Sequence, residues 1–477
     1  MKKFISIKSL LVCLGLLSLS GTASAESLLE IYQQALQSDP QIHEAEARRL
    51  AALEAEPQAR GVLLPQLSVS GDYTISESTG TSVGEDATGN IGTFRSETED
   101  ETQRWQVSLR QTIFRWDQVV QLRRADKLVA KAEADREAAQ QDLIVRVANR
   151  YFGVLGAEDR LTSIHADRQA IARSLEQAKQ RFEVGLIAIT DVQESQAAYD
   201  RAIASEIAAK RELATARNLL REITGNYVTN LNAPGDDFPL LNPSPNSEAQ
   251  WVDLSLDQNL ALVASRLDEE LARDEISFRR TGRYPTIELV ANVGESDSDT
   301  DRSINGSPFV PADSDGRSDS IGIQFSMPLF TGGVTNSRVR EAVYLHRASR
   351  EQLQRVTRET ERQARDSYLG VLSELSRVNA LEQAVNSAQT SLEATEAGFE
   401  VGTRTIVDVL NSQFNLYSSI TNYYQSRYDY VLNVLALKQA AGSLQIQDLE
   451  EIDQWLKQRP TPEEAMAAEA AKEAEGS

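Results

Sequence analysis

Apolar and polar residues alternate along four short segments of this chain, arranged as two pairs. A period of two places every apolar side chain on one face of an extended strand, so each segment is predicted to be a β-strand with one apolar face. A half-buried sheet in a soluble domain would show the same period, and that alternative stays open. The alternating apolar positions are Leu67, Val69, Tyr73, Trp105, Val107 and Leu109 in the first pair and Ile287, Leu289, Val293, Ile321, Ile323 and Phe325 in the second.

Long polar stretches, residues 74–103 and 299–318, join the two strands of each pair and are predicted to be loops. Their richness in Gly, Ser, Thr, Asp and Glu is typical of the external loops of outer-membrane β-barrels. Four strands are too few to close a barrel, which needs about eight, and an open strand edge cannot face lipid. On the barrel interpretation, the chain must therefore oligomerise.

A proline-free stretch rich in Ala, Gln, Glu, Arg and Leu follows each strand pair, at residues 117–183 and 335–400. Each is predicted to be one helix, which would span roughly 100 Å at about 1.5 Å per residue. Its apolar stripe is narrow, as in coiled coils. A Val-Gly pair then ends each helix, and returning helices are predicted at 188–224 and 405–441.

The chain is internally duplicated. The segment RFEVGLIAITDVQ at residues 181–193 recurs as GFEVGTRTIVDVL at 398–410, so the tips of both predicted helical hairpins share one motif. The pattern predicts a signal peptide and five further parts. These are a signal peptide at 1–25, a first repeat at 26–240, a proline-rich connector at 226–250, a second repeat at 251–441, an irregular C-terminal segment packed beside the connector at 442–459, and an acidic disordered tail at 460–477.

The N-terminus has the three parts of a secretory signal peptide. Residues 1–8 carry three lysines, residues 10–19 are apolar, and Ala23-Ser24-Ala25 is a small-residue cleavage site, so we expect cleavage after Ala25. Cleavage would remove Cys13, the only cysteine, and leave a chain without disulfides. No stretch of about 18 apolar residues follows Ala25, so any membrane contact is expected to be made by β-strands.

Charge and composition predict neither nucleic-acid binding nor catalysis. The formal charge is −22 and becomes more negative when the three signal lysines are removed, so the surface repels nucleic acid. The three histidines, His43, His165 and His346, stand alone in helical sequence, and no hydrolase, metalloprotease or phosphate-loop motif is present. We therefore expect no enzyme, no cofactor and no metal site.

Several motifs resemble the TolC family of outer-membrane efflux and secretion ducts, in order across about residues 26–456. They are ESLLEIYQQALQSDP, LLPQLSVSGDYT, RFEVGLIAITDVQ, REITGNY, MPLFTGGVTNSRV and VGTRTIVDVL. The resemblance implies an α+β membrane protein that forms a homotrimer. Four strands from each protomer would build one β-barrel in the outer-membrane lipid, and the helices would continue it as a coiled-coil barrel into the periplasm.

The same resemblance implies partners and a task. Periplasmic adaptor (membrane fusion) proteins and inner-membrane efflux pumps or ABC secretion transporters would dock at the helical tips, and the duct would pass drugs, bile salts or secreted proteins outward. Two other functions stay open at this point. A passive porin would share the barrel, and an envelope-spanning structural protein would share the helices.

Six residues near the repeated motif are implied to form a gate. Three copies of Asp408 would ring the periplasmic constriction and favour cations, whereas Asn411 stands where the family has a second aspartate. In an alternative interpretation, Asp408 pairs with Arg404, four residues before it. A latch would join Arg404 to Thr190 and Asp191, and Phe399 replaces a tyrosine whose hydroxyl contacts that same aspartate.

Overall fold

The computed structural model describes residues 25–85, 89–228, 230–235, 237–308, 311–464 and 466. Two copies of one arrangement follow each other, in which helices lead to strands, a long helix and a returning helix. The first copy contains α1 Leu28–Ser38, α2 Pro40–Leu53, α3 Ala55–Gly61, β1 Gln66–Glu85, β2 Ile91–Phe114, α4 Trp116–Glu183 and α5 Ile189–Thr224.

The second copy begins after β3 Ala233–Pro234 in the connector. It contains α6 Glu248–Gln258, α7 Leu260–Arg280, β4 Thr286–Ile304, β5 Ser307–Pro308, β6 Ala312–Ser326, α8 Val334–Glu400 and α9 Ile406–Ala440, and the chain continues into α10 Ile446–Asp453 and β7 Leu456–Lys457. The predicted α+β architecture of four strands and two long helical hairpins is confirmed.

The long strands form one antiparallel sheet in the order β1-β2-β4-β6, with the short β5 also paired to β4. The register places Leu67 opposite Leu109 and Val107 opposite Val293, so the apolar residues of neighbouring strands share one face. Because β1 and β6 lie at the two ends of this order, each has one edge without a partner strand in the described part of a single chain. The sheet therefore remains open within one protomer.

The polar stretches predicted as loops are largely β-strand, and that part of the prediction was wrong. β1 and β2 pair continuously from Gln66 opposite Arg110 to Glu85 opposite Ile91. The second hairpin reverses at Asn305 and Gly306, whose φ angles of 53° and 76° are those of a two-residue type I′ turn. Polar residues on both faces suit strands that continue beyond the bilayer, because spanning it takes only about 9–11 residues.

The two long helices match their predicted bounds closely. α4 has 68 residues and α8 has 67, and each returns through a helix of about half that length. α4 packs on α5 and α8 on α9, through small and aliphatic side chains such as Ala178, Val192 and Val409. Within the ranges that the structure describes, no helix has the length and apolar character needed to cross a membrane.

The main apolar core lies near the middle of the long helices, where the chain's start, connector and C-terminal segment meet. Tyr151 of α4 is fully buried, and its hydroxyl donates to the carbonyl oxygens of Asn232 at 2.6 Å and Glu26 at 3.3 Å. β3 pairs with β7, which ties the connector to the C-terminal segment. That segment was predicted to be irregular, but it contains α10, whose apolar Ile446, Leu449 and Ile452 recur at helical spacing.

The two ends of the chain fall mainly outside the described residues. This holds for the predicted signal peptide, of which only Ala25 is described, and for tail residues 467–477. The beginning of the tail is ordered, contrary to the prediction of disorder from residue 460. Thr461 is buried, and Glu463 accepts from Arg217 of α5 at 2.9 Å.

Candidate gate at the hairpin tips

Each hairpin tip turns at a glycine in the left-handed region. Gly185 follows α4 with φ 76°, and Gly402 follows α8 with φ 78°. The chain then closes each helix end with a hydrogen bond from Leu186 N to Arg181 O at 2.8 Å, and from Thr403 N to Gly398 O at 2.8 Å. A side chain at either glycine would strain this turn, so the repeated Val-Gly pair builds the same tip twice.

Asp408 forms a capping box with Thr405, the N-cap residue of the returning helix α9 in the second copy. Its carboxylate accepts from Thr405 N at 2.9 Å and from the Thr405 hydroxyl at 2.9 Å, while Asp408 N donates back to that hydroxyl at 3.3 Å. These bonds to Thr405, and then the positive charge of Arg404, lower the pKa of Asp408 below the usual aspartate value. The carboxylate is therefore fully charged at neutral pH.

Asn411, the second residue of the predicted selectivity ring, lies one turn after Asp408 on α9 and is exposed. In the described residues, no ion pair joins Asp408 to Arg404, although the two charges interact. The alternative to a role in the selectivity ring is therefore that Asp408 only caps α9, and not that it forms an ion pair with Arg404. Whether these residues line a constriction stays a prediction.

The predicted latch is not formed within one chain. Thr190 is exposed and Asp191 half-buried at the start of α5, and in the described part of the protomer neither forms a hydrogen bond or an ion pair with Arg404. The stem of Arg404 instead passes over Gly398, where an added Cβ would lie 2.8 Å from the Arg404 Cγ. The latch stays a prediction, and any such contact would have to join neighbouring protomers.

Phe399 packs against the apolar cluster of its own hairpin, formed by Leu392, Ile406, Val409 and Leu416. Arg181 of the other hairpin lies against this ring, with its guanidinium carbon 4.6 Å from the ring centroid. Sequence reasoning missed Arg181. The repeat offered a signal, because Arg181 corresponds to Gly398 in the second copy and the two tips therefore differ there.

Further from the tips, the two hairpins meet through both apolar and polar side chains. Leu410 of α9 packs against Ile171 of α4 and against Ala198 and Ala202 of α5. Nearby, Gln413 Nε2 donates to Ser174 Oγ at 3.3 Å in a buried contact. In the residues described, no cluster of three or more His, Cys, Asp or Glu side chains has the geometry of a metal site.

Known proteins share this fold and sequence. A family model for outer membrane efflux proteins matches residues 31–226 and 251–443. Outer membrane protein TolC of Vibrio cholerae serotype O1 is 36% identical over 94% of this chain and 98% of that protein, and TolC of Escherichia coli K12 is 38% identical over 94% and 88%. The crystal structure of VceC from Vibrio cholerae has a TM-score of 0.67 at 21% identity over 87% of this chain and 96% of that one, which is a likeness of fold. The resemblance predicted from sequence is confirmed, and the chain belongs to the outer membrane efflux protein family.

Proposed function

We propose that three copies of this chain form one duct, which crosses the outer membrane as a β-barrel and continues into the periplasm as a helical tunnel gated at the hairpin tips. The observation that carries the proposal is the open four-stranded sheet joined directly to two very long helical hairpins. The free edges of β1 and β6 need partner strands before the sheet can face lipid. Neighbouring protomers supply those partners.

The helices set the reach of the tunnel. A 68-residue helix is roughly 100 Å long, about three times the hydrocarbon thickness of a bilayer. The hairpin tips therefore lie far from the membrane, where periplasmic adaptor proteins and inner-membrane pumps or ABC secretion transporters can dock. The duct needs no catalytic group, because those partners supply the energy and drugs, bile salts or secreted proteins pass through the lumen.

The gate combines charge with packing at the tips. Three Asp408 carboxylates, charged at neutral pH, would favour cations at the narrowest point. Asn411 lacks a charge, so we expect one acidic ring there. We further propose that Arg404, Thr190 and Asp191 form the latch between protomers and that Phe399 supports it by packing.

Purified protein in planar bilayers tests this function. We expect small, gated, cation-selective conductance from a particle whose mass by light scattering in detergent is that of a trimer beginning at Glu26. Wide ohmic openings that are unchanged by deletion of 181–193 and 398–410 would support a passive porin instead. No conductance from a correctly assembled trimer would support a structural protein that spans the envelope.

A further inference from the structure

Among the hydrogen bonds and ring contacts that join the two hairpins in the described residues, those of Arg181 lie nearest the tips. Its Nη1 donates to the carbonyl oxygen of Phe399 at 3.5 Å, and its guanidinium covers the face of the Phe399 ring. The next polar contact along α4 is Ser174 with Gln413, seven residues or roughly 10 Å further from the tip. A movement that splays the two tips apart would separate Arg181 from Phe399.

The two partners are held in different ways. Phe399 is held by its own hairpin, because it packs against the cluster that includes Ile406 and Val409. Arg181 has no ion pair in the described part of the chain, so its interactions are the ring face and the carbonyl oxygen of Phe399. A cation on an aromatic face is attracted by the ring quadrupole. Arg181 thus holds the second hairpin through Phe399 alone.

We propose that Arg181 is a positioning residue of the gate, which holds the tips of the two hairpins of one protomer together in the closed duct. This inference rests on the proposed function and adds a contact inside each protomer to the predicted latch between protomers. It also gives Phe399 a task that does not need a hydroxyl group. The ring face, and not the missing phenol, carries the contact.

A double-mutant cycle measured by single-channel recording tests the proposal. Arg181→Gln removes the charge, and Phe399→Leu removes the ring but keeps an apolar side chain. Each is expected to raise the ratio of open to closed states about two- to fivefold per protomer, and the double variant no further than the stronger single one. Arg181→Lys, which keeps a cation, should restore most of the closed state.

Arg173→Gln is the matched control. Arg173 is an exposed arginine two turns earlier on α4 that donates to Gln169 O of its own helix, so its loss should leave gating unchanged. SDS-resistant trimer is measured for every variant, and Arg181→Met, which also removes the charge, takes the place of Arg181→Gln in the cycle if Arg181→Gln does not assemble. Additive effects, or unchanged gating in assembled Arg181 variants, would overturn the role of Arg181. A parent protein without gated conductance would instead overturn the proposed function.

Discussion

Asp408 has two tasks in this account, capping α9 and supplying charge to the gate, and a substitution can separate them. Asp408→Asn keeps an oxygen that accepts from Thr405 N but removes the charge. We expect it to abolish block by multivalent cations in planar bilayers, and Asn411→Asp to strengthen that block by adding a second acidic ring. Because the pKa of Asp408 is lowered, block in the parent should persist until the pH falls below the usual aspartate range.

The same experiment has an internal control at the tip. Glu400→Gln removes an exposed carboxylate at the end of α8 and should leave the block nearly unchanged. Equal block in the parent and in Asp408→Asn would show that the carboxylate only caps its helix.

Arg404 and Phe399 test the latch between protomers. Arg404→Ser should raise open probability and antibiotic leakage into cells, because a charge-assisted bond to Asp191 of a neighbouring protomer is lost. Phe399→Tyr keeps the ring under Arg181 and adds a hydroxyl, so it should make opening rarer. Higher conductance in Phe399→Tyr than in the parent would mean that the geometry of the latch is wrong.

Asp167 is a carboxylate whose burial carries a cost. Burial raises its pKa to about 6, and its Oδ1 has no hydrogen-bond partner. The folded chain therefore binds the proton of the Asp167 carboxyl more tightly than the unfolded chain does. The resulting loss of folding stability is absent below about pH 4 and complete above about pH 6. Asp167→Asn should stabilise the protein by about 1 kcal/mol at pH 7, a figure reduced for partial exposure, and by nothing at pH 4.

Thermal unfolding of the detergent-solubilised trimer at both pH values measures this difference. Asp200→Asn, which changes an exposed carboxylate on α5, provides the comparison and should leave the stability unchanged at both pH values. A gain at pH 4 equal to that at pH 7 would rule out titration of Asp167 as the cause.

At the scale of the elements, buried charged side chains attach the C-terminal segment to α4. Arg459 donates to Asp159 of α4 at 2.5 Å and lies 3.5 Å from Glu158, and the Tyr428 hydroxyl of α9 donates to Asp159. Burial raises the pKa of Asp159, and the charge of Arg459 opposes that rise. Arg459→Met would leave two buried carboxylates short of a partner and should cost about 3–5 kcal/mol.

Guanidinium unfolding followed by circular dichroism measures that cost. The control is Arg160→Met, which removes an exposed pair with Glu212 and should cost under about 1 kcal/mol. A loss for Arg459→Met no larger than for Arg160→Met would contradict the role of this segment as an attachment.

Sequence predicted those elements whose period is strong. The strand segments next to the helices alternate cleanly between apolar and polar residues, and α4 and α8 lack proline. The pattern alone therefore predicted these strands and helices. The strand segments farther from the helices were missed because both of their faces are polar, which hides the period of two. Asn305-Gly306 was the available signal for the second hairpin. The contact of Arg181 with Phe399 could not be predicted, because it joins residues 218 apart through the packing of two hairpins.

At the scale of the whole molecule, the proposed duct must be closed in two places. The open edges of β1 and β6 must be closed by neighbouring protomers in the membrane, and the tips must close the tunnel far from it. An outer-membrane efflux protein of this family is a passage, and we propose that side chains at the tips set its closed state. Closure of the tunnel at the tips can be tested most directly at the predicted ring of Asp408 and Asn411.

Thiol modification of Asn411→Cys during conductance recording is the most direct measurement. The chain has no cysteine after Cys13, so the new thiol is the only one in a protein cleaved after Ala25, and the parent is the control. We predict that a bulky thiol reagent strongly reduces conductance of Asn411→Cys and leaves the parent unchanged. Full modification, confirmed by mass spectrometry, with unaltered conductance would contradict a gate at the hairpin tips.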